Sequence, residues 1–229
     1  KQINKLQYEY EHIIIDNNST DGTIKKIKDL ASKDKNLKVI INSRNYGHIK
    51  SPFYGLLQSN GDASILMASD FQDPIELIPR YIEEWKKGNK IVLGKKVSSD
   101  ENKIKLSIRK SFYNFLNKIS ETKLTKDTTG SGIFDKSIID KLKHLNDPYP
   151  YFRGLLSEIG EDIKTVEFNQ PKRVLGKTKN NFFTLYDLAM LGIVKHSRMP
   201  LRFMIMIGFL SSIISLGIAI FYFIYKILF

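Results

Sequence analysis

The chain has 229 residues, with 36 Lys and Arg against 24 Asp and Glu, a formal net charge of +12, and no cysteine. The absence of cysteine excludes disulfides and thiolate metal sites, and the length outside a long apolar tail is that of one well-buried domain rather than two. The positive excess suits an anionic partner: nucleic acid, acidic lipid head groups or a phosphorylated substrate.

Lys1-Gln2-Ile3 offers neither an initiator Met nor an apolar core, so no signal peptide is legible and the chain reads as a fragment of a longer protein. His12-Ile13-Ile14-Ile15 predicts a buried strand ending at Asp16. The polar cluster from Asn17 to Gly22 predicts a turn, with Asp21 capping a helix from Thr23 to Ala31. Leu37 to Ile41 predicts a second strand, and a helix follows Asn45-Tyr46-Gly47 as far as Gln58. A third strand from Ala63 to Met67 closes on Ser69-Asp70, and a fourth from Ile91 to Leu93 ends at Gly94. Strands alternating with helices predict an α/β, Rossmann-like fold with a parallel sheet and crossover helices. In such sheets ligands sit beyond the carboxyl ends of strands, which is where Asp16, Asp70 and Lys96 fall.

From Lys103 to Ile119 the apolar residues Ile108, Phe112, Phe115, Leu116 and Ile119 recur at helical spacing among Lys103, Lys105, Arg109, Lys110 and Lys118. A basic amphipathic helix of this kind either lies in a membrane interface or packs its stripe on the core. Asn180 to Arg198 predicts a further helix with a broad apolar face. Residues 203–225 then carry no charge, a run long enough to cross a bilayer. Lys195, His196, Arg198 and Arg202 precede that run and only Lys226 follows it, so the preceding domain is expected to face the cytoplasm. The expected organisation is a domain over residues 1–180, a juxtamembrane helix over 181–202 and a transmembrane helix over 203–225. The basic residues gather near the span and no nucleic-acid motif is present, so nucleic acid is not an expected partner. A second copy of the chain is a further candidate partner.

The sharpest chemical cluster is Met67-Ala68-Ser69-Asp70-Phe71-Gln72-Asp73-Pro74. In extended chain Ala68, Asp70 and Gln72 face one side. A carboxylate and an amide oxygen placed there can hold a hard divalent cation that bridges substrate phosphates. Asp73, Pro74 and Glu76 fall at the N-cap, N1 and N3 positions of the next predicted helix, so Asp73 is read as mainly structural. Asp16, beside Asn17, Ser19 and Asp21, can accept hydrogen bonds from a base or ribose, although turns are rich in such residues anyway.

Ile15-Asp16-Asn17-Asn18-Ser19-Thr20-Asp21-Gly22-Thr23 resembles the strand-end nucleotide motif of family 2 glycosyltransferases. Arg44-Asn45-Tyr46-Gly47 is similar to their Arg-Asn-x-Gly element, and Ser69 to Pro74 to the last part of their Asp-x-Asp-Leu-Gln-Asp-Pro signature. Gln170-Pro171-Lys172-Arg173-Val174-Leu175-Gly176-Lys177-Thr178-Lys179 resembles the Arg-x-x-Gly-x-Ser-Lys element of the membrane-anchored branch, which moves a sugar from a nucleotide to a polyprenyl phosphate. The resemblance covers roughly residues 10 to 229, with the motifs in family order.

The resemblance implies a GT-A fold with a mostly parallel sheet, a nucleotide-sugar donor, Mg2+ or Mn2+, a polyprenyl phosphate acceptor, and inversion at the anomeric carbon. It places the enzyme on the cytoplasmic face of the inner membrane. Carried over, Asp70, Arg173 and Lys177 are catalytic, and Asp70 and Gln72 hold the metal. Asp16, Asn17, Asp21, Asn45 and Lys96 bind the nucleotide-sugar, while Arg153 and Lys179 meet the acceptor phosphate. This chain departs from the family in three places. Ala68 stands at the first Asp of the metal signature, Ser131 stands where relatives often place a catalytic carboxylate, with Asp127 the nearest acid upstream, and the family's opening strand and its loop are not legible. A hydroxyl acceptor needs a base near Ser131; a phosphate monoester, with a second pKa of roughly 6, does not.

Overall fold

The computed structural model describes residues 8–98, 103–120, 125, 128–171 and 181–229. Two short β-branched runs form β1, His12–Asp16, and β2, Leu37–Ile41, which pair in parallel from His12 opposite Leu37 to Asp16 opposite Ile41. The crossover between them is α1, Thr23–Lys33, which seats Ile27. It runs two residues past the expected end. The chain continues through α2, Gly47–Leu57, to β3, Ala63–Leu66, then α3, Leu77–Lys86, and β4, Ile91–Ser98. After α4, Lys103–Ile119, come β5, Thr128–Asp135, α5, Lys136–Leu145, α6, Phe152–Glu158, and β6, Ile163–Asn169. Two helices close the chain: α7, Phe182–His196, and α8, Met199–Leu228.

The expected mostly parallel sheet is a mixed one. β1 and β2 form their own pair, and the remaining strands form a second sheet in the order β3-β5-β4-β6. β5 runs antiparallel to both of its neighbours, and only β4 and β6 pair in parallel there. Thr128-Thr129-Gly130-Ser131-Gly132 has no apolar run, which is why β5 is invisible to a periodicity argument. Its glycine is demanded by packing: a Cβ on Gly132 would lie 2.1 Å from the Val92 carbonyl oxygen. β4 also extends beyond the expected stop at Gly94, because its pairing with β6 continues to Ser98 and Lys95 meets Glu167 at 2.8 Å. Lys96 is therefore inside a strand and not beyond one.

The strands of the larger sheet alternate their side chains between two cores. Ile91, Leu93 and Phe134 join Phe53 and Leu56 of α2 with Ile138, Ile139, Leu142 and Leu156 of α5 and α6. Val92 and Ile133 point the other way, onto Leu77 and Tyr81 of α3 with Val166 and Phe168 of β6. Each fully buried side chain of this size contributes about 1.5–3 kcal/mol, so the sheet end that carries the polar loops rests on a stiff base.

The basic helix α4 resolves in favour of packing. Its Phe112, Leu116 and Ile119 pack with Tyr151 and with Leu188, Leu191 and Ile193 of α7. α8 has no buried residue and, among the described residues, is the one helix long and apolar enough to cross a membrane.

Candidate functional site

The β1 and β2 ends are braced by one amide. Asn17 donates through Nδ2 to Asn45 Oδ1 at 2.8 Å and to the Gly47 carbonyl at 3.1 Å. Its Oδ1 accepts from Asn42 Nδ2 at 3.1 Å and from the Tyr46 amide at 2.9 Å. An Asn side chain has two N–H donors and two oxygen lone pairs, so this set uses all four. Asn17 thus fixes the loop after β2 against the loop after β1. Asn45 accepts from Gly47 as well, at 2.8 Å, and Gly47 takes a positive φ of 85° to open α2.

Asp16, 5% exposed, accepts the Ser19 amide at 2.8 Å and so shapes the turn beyond β1. Asp21 accepts from the Thr23 hydroxyl and amide, at 2.5 and 3.1 Å, one residue ahead of the Gly22 N-cap. Those hydrogen bonds hold its carboxyl below the usual range. The capping expected of Asp21 is present, displaced by one position. Arg44 stacks over the Tyr46 ring at 4.7 Å on the same rim.

The loop beyond β3 is a closed turn. Asp70 Oδ1 accepts the Gln72 amide at 3.1 Å, and Asp73 Oδ2 accepts the Ala68 amide at 3.3 Å. Between them Phe71 takes a left-handed backbone, φ 59°, with its ring exposed. The expected helix-cap role of Asp73 is not what the geometry gives. α3 starts at Leu77 after two i→i+3 turns from Pro74 and Ile75, and Glu76 stands at its N-cap without a side-chain cap. Asp73 instead draws the loop's start and end together. Burial pushes its carboxyl up, and the Asp70 charge adds to this, against the Ala68 amide, Lys96 and Ser131. Lys96 is thereby placed beside this loop.

Ser131 and Tyr81 stand behind the loop, both buried. The Ser131 hydroxyl acts electrostatically on Asp73 and Tyr81, yet neither Ser131 Oγ nor Tyr81 Oη meets hydrogen-bond geometry with a partner among the described residues. Burial pushes the Tyr81 phenol up to about 12. β4 passes so close that a Cβ on Gly94 would lie 2.5 Å from Tyr81 Oη.

Further along β5, Arg153 of α6 donates to the Tyr113 hydroxyl of α4 and to the Thr129 carbonyl at 3.5 Å. This places it two residues along β5 from Ser131. Lys50 of α2 lies 3.3 Å from the centroid of Tyr149, at the start of the same segment. Tyr113, Thr129 and Lys50 are neighbours of the Arg153 segment that sequence reading missed, and nothing in the chain marks them; Tyr149 falls in the run Tyr149-Pro150-Tyr151-Phe152-Arg153-Gly154, which the resemblance puts on the acceptor side. Arg173, Lys177, Lys179 and Asp127 lie outside the described residues.

The donor set at Asp70 and Gln72 fits a hard divalent cation that keeps waters and phosphate oxygens, as Mg2+ does. No cluster of three His, Asp or Glu side chains that could hold a metal occurs among the described residues.

The family described as Glycosyl transferase family 2 matches residues 1–143. The chain is 35% identical over 208 residues to the bactoprenol glucosyl transferase of Shigella phage SfX, covering 90% of this chain and 68% of that protein. It is 34% identical over 202 residues to the prophage bactoprenol glucosyl transferase homolog of Escherichia coli (strain K12), covering 88% and 66%. A mannosyltransferase from Pyrobaculum calidifontis, solved in complex with GDP-Man and Mn2+, is similar at a TM-score of 0.44 and 17% identity. That match covers 72% of this chain, which spans about half, 49%, of that structure's length.

Proposed function

The chain belongs to glycosyl transferase family 2, and from that premise we propose that it transfers a sugar from a nucleotide-sugar to a polyprenyl phosphate, with inversion, at the cytoplasmic face of the inner membrane. One observation carries the reading. The carboxylate loop beyond β3 and the Arg153 segment flank the same stretch of β5, and the Arg153 segment packs on the helix that leads into the apolar α8. A water-soluble donor and a lipid-borne acceptor need that juxtaposition.

The proposed roles follow from chemistry. Asp16, Asp21 and the loops braced by Asn17 and Asn45 hold the nucleotide. Asp70 and Gln72 offer oxygens to Mg2+ or Mn2+, which when bound neutralises charge on the leaving diphosphate. Lys96 adds positive charge at the same loop. Arg153, oriented by Tyr113 and Thr129, meets the acceptor phosphate, and Arg173, Lys177 and Lys179 supply further cations for the two phosphate groups. The acceptor oxygen attacks the anomeric carbon from the face opposite the diphosphate. It is already anionic near neutral pH, because a phosphate monoester has a second pKa of about 6. Ser131 in place of a carboxylate is therefore compatible with this acceptor and costs a hydroxyl acceptor its base.

The proposed domain runs from residue 1 to 180, with a juxtamembrane helix over 181–202 and a span over 203–225. Phe183, Tyr186, Met190 and Val194 of α7 recur at helical spacing and are exposed. That face is proposed to lie in the interface, above a span formed by α8. Lys195, Arg198 and Arg202 at its root favour a cytoplasmic domain.

The test is to incubate membranes holding the full-length protein with radiolabelled nucleotide-sugars, one at a time, and extract the lipid. A chloroform-soluble, acid-labile monosaccharide product is expected. Label appearing only in polysaccharide, or in nothing, would overturn the reading.

A further inference from the structure

His196 is the last residue of α7, and its side chain is 1% exposed. Its Nδ1 lies 2.8 Å from Glu158 Oε1, the last residue of α6. An ionised carboxylate only accepts, so the ring nitrogen there carries the hydrogen. Nε2 is buried with no partner among the described residues and is pressed against Gly154. A Cβ on Gly154 would lie 1.8 Å from Nε2, so the seat exists only because that residue is glycine. The Tyr151 ring covers the imidazole at 5.2 Å.

The neighbouring residue grips the other end of the same segment. Lys195 Nζ lies 2.6 Å from both carboxylate oxygens of Asp147, and Asp147 Oδ1 also accepts the Tyr149 amide at 2.9 Å. Lys195 and His196 therefore hold residues 147 and 158, and Arg153 lies between these two points. Immediately beyond them the Ser197 hydroxyl accepts the Met199 amide at 3.1 Å, where α8 begins.

Polar and ionic contacts of this kind add little net stability compared with apolar packing of the same volume, and their best-attested use is to fix register. An apolar contact between α6 and α7 would tolerate sliding; a His ring in a glycine seat with a directed hydrogen bond does not. We infer that Lys195 and His196 are positioning residues that lock the Arg153 segment to the root of the membrane-spanning helix. The lock sets the height of the arginine above the leaflet, so that an isoprenoid phosphate anchored in lipid reaches it in one geometry. This rests on the transfer reaction proposed above.

The experiment uses the full-length protein in bilayers, with undecaprenyl phosphate as acceptor. His196→Ala and Gly154→Ala are expected to raise KM for the lipid about tenfold or more, with the nucleotide-sugar KM unchanged. His196→Asn, whose amide can donate to Glu158 where Nδ1 does, is expected to recover most of that loss. The reversed pair Asp147→Lys with Lys195→Asp should outperform either single change. A rise in both KM values together, or a fall in melting temperature with neither KM moved, makes the contact purely structural and overturns the inference. A wild-type protein that labels no lipid defeats the proposed function instead. In that event amide hydrogen exchange over residues 147–158 decides: faster in His196→Ala and restored in His196→Asn supports the lock, and unchanged exchange overturns it.

Discussion

Asn17 and Asn45 stand 28 positions apart and share a hydrogen bond of 2.8 Å, so the ends of the two parallel strands β1 and β2 form one rigid rim. Asn17 spends every hydrogen-bonding position it has on this brace. Asn17→Ala strands partners on both loops and should cost about 2 kcal/mol, from unmade hydrogen bonds in a partly buried site. The nucleotide-sugar KM should rise about tenfold with little change in the lipid KM, as measured by transfer kinetics and chemical denaturation. An unaltered donor KM would sever the brace from nucleotide binding.

Asp70→Ala removes the carboxylate proposed to hold the metal at the β3 loop. Loss of metal stabilisation of the leaving group is worth several kcal/mol, so transfer should fall by about a thousandfold or more. Circular dichroism and the melting curve should match wild type, since Asp73 closes the loop through Ala68 without it. Chelation of divalent ions should reproduce the activity loss in wild type and add nothing in the mutant.

Arg153 meets a hydroxyl and a carbonyl with different parts of one planar guanidinium. Arg153→Ala should raise the lipid KM by about one to two orders of magnitude, from loss of charge-assisted hydrogen bonds of about 1.5–3 kcal/mol. Arg153→Lys should recover little, because an ammonium group cannot span the same pair of oxygens in a fixed plane. Full recovery by Lys would mean that charge alone is needed there.

Asp135 ends β5 and caps α5 through the Ser137 amide at 2.9 Å, while accepting the Trp85 indole N–H at 2.9 Å. Burial opposes its charge, but the hydrogen bonds from Ser137 and Trp85 win and hold its carboxyl below the usual range. Its folded value lies under the unfolded one near 3.9. Its contribution is therefore complete above about pH 5 and lost as pH falls through the depressed folded value. Asp135→Ala should cost about 2–4 kcal/mol at pH 7, summing the cap and the stranded indole. The gap to wild type in melting temperature should narrow below about pH 4; a gap independent of pH would remove the charge from the account.

The elements built on periodicity were legible. β1, β2, α2, α4 and α7 lie where apolar spacing and turn residues put them, because local patterning decides whether a short segment can bury one face. The uncharged run before Lys226 sufficed to mark α8, since no tertiary partner is needed to make such a helix apolar throughout. The motif order in the chain also sufficed to point to the family.

Pairing between segments far apart in sequence was not legible. β5 opens without an apolar run and takes its place between β3 and β4 through close backbone approach at Gly132, a constraint that exists only once β4 brings the Val92 carbonyl against it. Asp73 looked like a helix cap because Pro74 and Glu76 follow it; the loop's closure onto Ala68 made it something else. Glu158 and His196, 38 positions apart, carry no shared signal in the chain, and only folding brings an imidazole onto a glycine seat. Local chemistry thus told what kinds of groups this protein deploys; the tertiary structure alone decided which of them face one another, because side chains distant in sequence interact only through the backbone path that joins them.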